Sequence, residues 1–256
     1  MTTSSSASRT AIRALVTGHT RGLGAAIAEL LLQRDIDVLG LGRGTNAALA
    51  SAHAAHFSEA VVDLADPLAL EQWLASGAFE AFIEGADCVV LVNNAGTVEP
   101  IAPLGAQDAS AIARAVTLNV ATPLMLANAL AATPALSANA SRRIVHISSG
   151  AARNAYAGWS VYCATKAALD HHARAVALDA PTNVRICSLA PGVIDTGMQA
   201  TIRSTQANHF PLRERFEKLK EDGQLSSPEA AARQVVDYAL SEAFGSAPTS
   251  DVRELG

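Results

Sequence analysis

Tyr162 and Lys166 stand four residues apart in the stretch Ser160–Asp179, whose pattern reads as a helix, so the two side chains share one face. A free phenol ionises near pH 10 and is a poor acid or base at neutrality. An ammonium beside it stabilises the phenolate and lowers that pKa. The pair is therefore a workable proton donor to a carbonyl oxygen, a kind of general acid catalysis worth about 10²–10⁴-fold, roughly 3–5.5 kcal/mol. The spacing alone is weak, since it arises by accident. Its surroundings strengthen it. Ser148-Ser149 closes an apolar run, and Ser149 lies thirteen positions before Tyr162, where a hydroxyl could orient the carbonyl. Asn119 sits inside an apolar helical stretch. An amide there disfavours regular helix slightly and could hold a water beside Lys166, or be satisfied by neighbouring backbone.

A second set of residues suits a phosphate. The run Ile12–Thr17 leads into Thr17-Gly18-His19-Thr20-Arg21-Gly22-Leu23-Gly24 and then an Ala/Leu helix. A Gly-rich turn from strand to helix lets the backbone approach a pyrophosphate, and the helix start offers free N–H groups. The glycines at 18, 22 and 24 depart from the common G-x-G-x-x-G spacing, and a tight turn with no ligand is the other reading. After the next apolar run, no acidic residue lies between Val38 and Ala50 to take ribose hydroxyls; Arg43 is there instead, where a guanidinium can hold a 2′-phosphate by charge-assisted bonds. Arg21 is a plausible second cation. These residues predict NADP(H), unless Arg43 is an ordinary surface arginine. Asp63 could accept from an adenine amino group or cap the helix begun at Pro67. In Asn93-Asn94-Ala95-Gly96, the amides could tie strands together and floor the cofactor site.

The elements that must position these residues alternate strand and helix. Strands are expected at 12–17, 37–41, 57–62, 87–92, 143–148, 184–190 and around Val252. Helices are expected to about 34, at 47–55, from 67 to before Gly77, at 106–132 with Pro123 bending it, and at 160–179. Repeated strand–helix–strand units imply parallel strands with right-handed crossovers. The expectation is one α/β domain at 11–256, a doubly wound (Rossmann) parallel sheet with helices on both faces, after a disordered Ser/Thr-rich tail at 1–10 with no signal core. Half of the 256 residues are hydrophobic and 4% aromatic, so the core must be Ala, Val, Leu and Ile. A net charge of −5 argues against nucleic acid, and no apolar run is expected to span a bilayer. Three isolated cysteines suit free thiols in a reducing cytosol, with no metal spacing. The charged run within 197–224 is a solvated helix face or a substrate lid.

In order, Thr17-Gly18-x-x-x-Gly22-x-Gly24, Asp63, Asn93-Asn94-Ala95-Gly96, Asn119, Ser149, Tyr162-x-x-x-Lys166 and Pro191-Gly192 resemble the short-chain dehydrogenases/reductases over nearly the whole chain. The resemblance implies a catalytic tetrad of Asn119, Ser149, Tyr162 and Lys166, with Lys166 also touching the nicotinamide ribose. It implies cofactor contacts from Gly18, Thr20, Arg21, Gly22, Leu23, Gly24, Arg43, Asp63, Asn93, Ala95, Gly96, Tyr162, Lys166 and the loop Pro191, Gly192, Val193, Ile194 and Thr196. It implies a homodimer, with a tetramer open, and a cytoplasmic enzyme.

Tyr156 to Cys163, Ala190 to Gln199, Ile202-Arg203-Ser204 and Arg215-Phe216-x-Lys218-Leu219 look like sepiapterin reductases, and more like the bacterial benzil reductases beside them. That implies reduction of a vicinal dicarbonyl or related α-substituted ketone, with Ser149, Tyr156, Trp159 and Tyr162 against the substrate; core packing is the other reading of Tyr156 and Trp159. Sepiapterin reductases hold the pterin with an acidic residue near the C-terminus, and Asp251 lies in a comparable tail of uncertain register. Two rivals stay open: a 3-oxoacyl-carrier-protein reductase or other short-chain alcohol dehydrogenase, and a non-catalytic NADP-sensing protein.

Overall fold

The computed structural model describes residues 10–255, and of the tail expected at 1–10 all but residue 10 lies outside them. Seven strands form one parallel sheet in the order β3-β2-β1-β4-β5-β6-β7. They are β1 Ile12–Thr17, β2 Asp37–Gly42, β3 Phe57–Val61, β4 Cys88–Asn93, β5 Ser141–Ile147, β6 Val184–Ala190 and β7 Thr249–Asp251. The interior strands are near-continuous apolar runs because helices cover both faces. One face buries α1 Gly22–Leu32 and α10 Pro228–Leu240 through Ile27, Leu31, Val235 and Val236. The other buries α3 Pro67–Ala75, α4 Ala78–Ile83, α6 Thr122–Ala132 and α7 Ser160–Asp179 through Leu70, Phe79, Leu126, Leu130 and Ala173. Strand order reverses between β1 and β4, so their C-terminal ends open the crevice where such sheets bind ligands.

Local chemistry sets the boundaries. Asp66, not Asp63, caps α3, accepting from Leu68 N at 3.0 Å with Pro67 at the first helical position. Ser227 caps α10 ahead of Pro228 in the same way. The last strand ends at Asp251; Val252, expected inside it, starts a 3₁₀ turn instead.

The helix expected at 106–132 is broken. It comprises α5 Ala109–Val116, a π turn Thr117–Ala121 and α6. Thr122 N bonds five residues back to Thr117 O, and Pro123 brings no N–H to the Asn119 carbonyl four residues before it. The break thus precedes Pro123 and falls on Asn119. Ala109–Ala132 as a whole is long and apolar enough to cross a membrane by length and composition alone, a test that a buried core helix also passes. Within it, Leu118, Leu126 and Leu130 pack into the core against the sheet.

Of the remaining helices, α2 Ala47–Ala52 joins the first core through Leu49, while α8 Gly197–Ser204 and α9 Arg213–Glu221 lie outside the two main cores. The last two lie within the segment 197–224. Their Ile202 and Phe216, with Phe210 between them, join Val98, Ala151, Trp159 and Tyr162 in a third cluster. The charged residues of α9 face outward, so this segment has both a solvated face and an apolar one turned to Tyr162.

Candidate active site

The Gly-rich turn is built for close approach. Gly18 and Gly22 have φ of 69° and 57°. At Gly24 a Cβ would stand 2.2 Å from Gly18 O. The start of α1 has no side-chain cap and no acidic residue in its first turn, leaving its N–H groups and dipole to an anion. Asn94 ties the turn to β4, donating from Nδ2 to Thr17 O at 2.9 Å, while Thr17 Oγ1 accepts from Asn94 N and Ala95 N, both at 2.9 Å. Asn93 turns the other way, its amide reaching the Pro123 carbonyl and His146 Nδ1 beneath the sheet. Leu23 is buried in the core, so only its backbone faces the crevice. Thr20 flanks Gly44, and Thr196 packs on Gly22, which brings the 191–196 loop against the turn. Val193 and Ile194 are held there by backbone bonding to the Ser226 segment.

Arg43 follows β2, exposed and without an ion pair among the described residues; Arg21 is the same. The loop after Arg43 rests on a group the sequence did not flag. Buried His19 bonds Glu59 Oε1 through Nε2 at 2.6 Å, and the same oxygen accepts from Asn46 N at 2.6 Å. Asp63 makes a local turn to Ala65 N and lies 3.5 Å from Arg114. This turn and its cations fit a dinucleotide.

At the other end of the crevice, β5 delivers Ser149 and α7 delivers Tyr162 and Lys166. Tyr162 and Lys166 are 7% and 5% exposed. Burial raises the Tyr162 pKa, and the nearby Ser149 hydroxyl works against that. Lys166 Nζ donates to Ile147 O at 2.7 Å and stands 5.8 Å from the Tyr162 ring centroid. The spacing predicts that the ammonium lowers the phenol's pKa; instead burial is the largest influence and raises it, and the ammonium is turned to a carbonyl. Burial also brings Lys166 from 10.5 to about 8, opposed by Asp170.

Asn119 is 1% exposed, and its amide is spent on protein: Oδ1 accepts from Thr97 N at 2.8 Å, and Nδ2 donates to Thr97 O at 2.8 Å and Thr165 Oγ1 at 3.1 Å. A Cβ on Gly96 would come within 3.1 Å of Asn119 Oδ1 and 3.7 Å of Lys166 Nζ. Tyr156 is half-buried at the mouth. Trp159 is buried behind Tyr162, stacked on Phe210 at 4.6 Å and edge-on to Tyr162 at 5.4 Å. Asp251 is buried and held bidentately by Arg253 at 2.8 and 2.6 Å, which keeps its carboxyl below the usual range. Among the described residues no cluster of His, Cys, Asp and Glu could hold a metal.

A doubly wound parallel sheet with a phosphate turn at its switch point and a Tyr–Lys pair on the next long helix defines a nicotinamide-dependent oxidoreductase acting on carbonyl or hydroxyl groups. The chain belongs to the short chain dehydrogenase family, whose model matches residues 13–207. It is similar to a benzil reductase ((S)-benzoin forming) of Bacillus cereus, 33% identical over 236 residues and covering 90% of this chain and 94% of that one. It is also similar to the sepiapterin reductase of Meriones unguiculatus, 30% identical over 244 residues and covering 91% and 92%. A crystal structure of a short-chain dehydrogenase/reductase from Burkholderia vietnamiensis is 53% identical, with TM-score 0.70, covering 96% of this chain and 99% of that one.

Proposed function

We propose that this protein is an NADPH-dependent carbonyl reductase for a vicinal dicarbonyl or related α-substituted ketone, with Tyr162 as proton donor. The observation that carries it is the buried Tyr162 phenol, with Ser149 close enough to influence it and Lys166 one turn behind. When bound, the reduced nicotinamide supplies the hydride. Ser149 and Tyr162 orient the carbonyl oxygen, and Tyr162 gives its phenolic proton to that oxygen. Lys166 holds the nicotinamide ribose and passes a proton back towards the phenol. Asn119 holds the 96–98 segment beside Lys166 through its bonds to Thr97, and its carbonyl, facing no N–H from Pro123, is the acceptor for a water that returns the proton to Lys166. Gly18, Gly22 and Gly24 take the pyrophosphate, and Arg43 with Arg21 takes the 2′-phosphate. Asp63 and the Asn94–Gly96 segment flank the adenosine and ribose, and 191–196 covers the carboxamide.

The dicarbonyl preference rests on the benzil and sepiapterin reductase relatives and on the aromatic wall formed by Tyr156 and backed by Trp159. α8 and α9 form the lid over it, and the enzyme works in the cytoplasm as a homodimer. The test is NADPH consumption with benzil, sepiapterin and an acetoacetyl thioester, with chiral analysis of products. Turnover should be greatest on the dicarbonyls. Preference for the thioester, or nucleotide binding with no turnover on any carbonyl, overturns the assignment.

A further inference from the structure

Asp170 has no part in the chemistry above, yet it is a 2% exposed carboxylate beside it. It lies one turn beyond Lys166, so Tyr162, Lys166 and Asp170 recur along one face of α7. One of its oxygens accepts from both Ser148 Oγ at 2.6 Å and Ser188 Oγ at 2.8 Å. The other makes no hydrogen bond and faces Arg153 Nε at 3.7 Å, while Arg153 Nη2 donates to Ser250 O at 2.9 Å. The carboxylate thus grips the end of β5, β6, and the 3₁₀ turn Gly150–Ala152 through the arginine that follows it.

These segments surround Ser149. Ser148 turns its side chain to α7, and the alternation of extended backbone sends the next residue to the crevice. The Ser148 backbone is fixed to β6 as well, its N–H reaching Leu189 O at 2.8 Å. A buried carboxylate persists only when paired or multiply hydrogen-bonded. Its charged neighbours are Lys166 and Arg153.

We infer that Asp170 is a positioning residue for the catalytic groups: its serine bonds hold the strand end that carries Ser149, and its charge balances the ammonium of Lys166. The inference rests on the roles proposed above for Ser149 and Lys166. The other titratable groups around the pair are Tyr162 on the same helix, His146 on β5 and Cys187 on β6. Burial raises Tyr162, takes His146 to about 3 and Cys187 to about 11, lowers His172 beside His146, and brings Lys166 down to about 8. Asp170 opposes the burial that brings Lys166 to that range.

Two variants separate clamp from charge. Asp170→Asn keeps the size and removes the charge. In ¹⁵N-lysine-labelled protein the Lys166 titration midpoint should fall by about one pH unit. The kcat for reduction should fall about tenfold, its alkaline limb moving down with the midpoint, while KM and NADPH affinity stay within about twofold. Ser148→Ala keeps the charge and loosens the strand end; kcat should fall about fivefold with the midpoint unmoved. A folded Asp170→Asn protein with native midpoint and native kcat overturns the inference. If that variant does not fold, Ser148→Ala decides: native kcat overturns the clamp, and a loss with unmoved midpoint supports it. The midpoint needs no substrate, so a native protein inactive on every carbonyl sinks the proposed function while this readout still tests the charge.

Discussion

The two ends of the crevice are made of different material. The nucleotide end, from β1 through α1 to the loop after β2, consists of glycines, free helix N–H groups and two exposed arginines. The end proposed as catalytic consists of buried polar and titratable side chains: Asn119, His146, Tyr162, Lys166 and Asp170, none more than 7% exposed. An anion whose charge is permanent needs only shape and open charge. A proton donor must hold a defined protonation state, and burial with selected neighbours sets it. The first end is therefore sensitive to added atoms and lost cations, the second to altered hydrogen bonds and pH.

The sharpest break in that contrast is Tyr162→Phe. It removes one hydroxyl from the catalytic end, so kcat should fall about 10²–10⁴-fold while NADPH affinity, measured by fluorescence titration, stays native. Near-normal turnover would remove Tyr162 as the donor. Arg43→Ala should act in the opposite way, weakening NADPH about 10–100-fold with NADH affinity unmoved. Equal use of NADH by the native protein would show that Arg43 does not select the cofactor.

His146 tests the electrostatics of the catalytic end without touching chemistry. Its pKa is about 3 in the fold against 6.5 unfolded, because of burial first and then His172 and Lys166. The unfolded chain binds the extra proton between those values, so stability is full above pH 6.5 and lost as pH falls towards 3, at about 1.4 kcal/mol per unit. Denaturant unfolding at pH 7 and pH 5 should show that loss, and His146→Leu should flatten it. The smallest effect is expected at the turn: Gly24→Ala, with its methyl carbon against Gly18 O, should cost about 1–3 kcal/mol by thermal unfolding and weaken NADPH. An unchanged Tm and Kd would show that the turn yields.

The fold was largely legible, since apolar runs bounded by turn residues placed β1, α7 and β6 at their observed limits. α4 and α10 were not foreseen. α4 is short, and α10 has its pattern interrupted by charges while its apolar stripe meets α1. The bend at 106–132 was expected at Pro123 and falls on the π turn before it, because the missing N–H frees a carbonyl one turn earlier.

The sequence by itself determined which residue types were available and in what order: glycines where a backbone must come close, arginine in place of an acid after β2, and Tyr162, Lys166 and Asp170 on one helical stripe. Those are local properties, readable from spacing and side-chain chemistry. Only the tertiary structure decided their states. His19 meets Glu59, Asn119 meets Thr97, and Asp170 meets Ser148 and Ser188 across strands far apart in the chain. Burial turned the phenol's pKa upward where spacing alone predicted the reverse. A pKa depends on how much water the folded chain excludes and which charges it brings near, and neither is written at any one position.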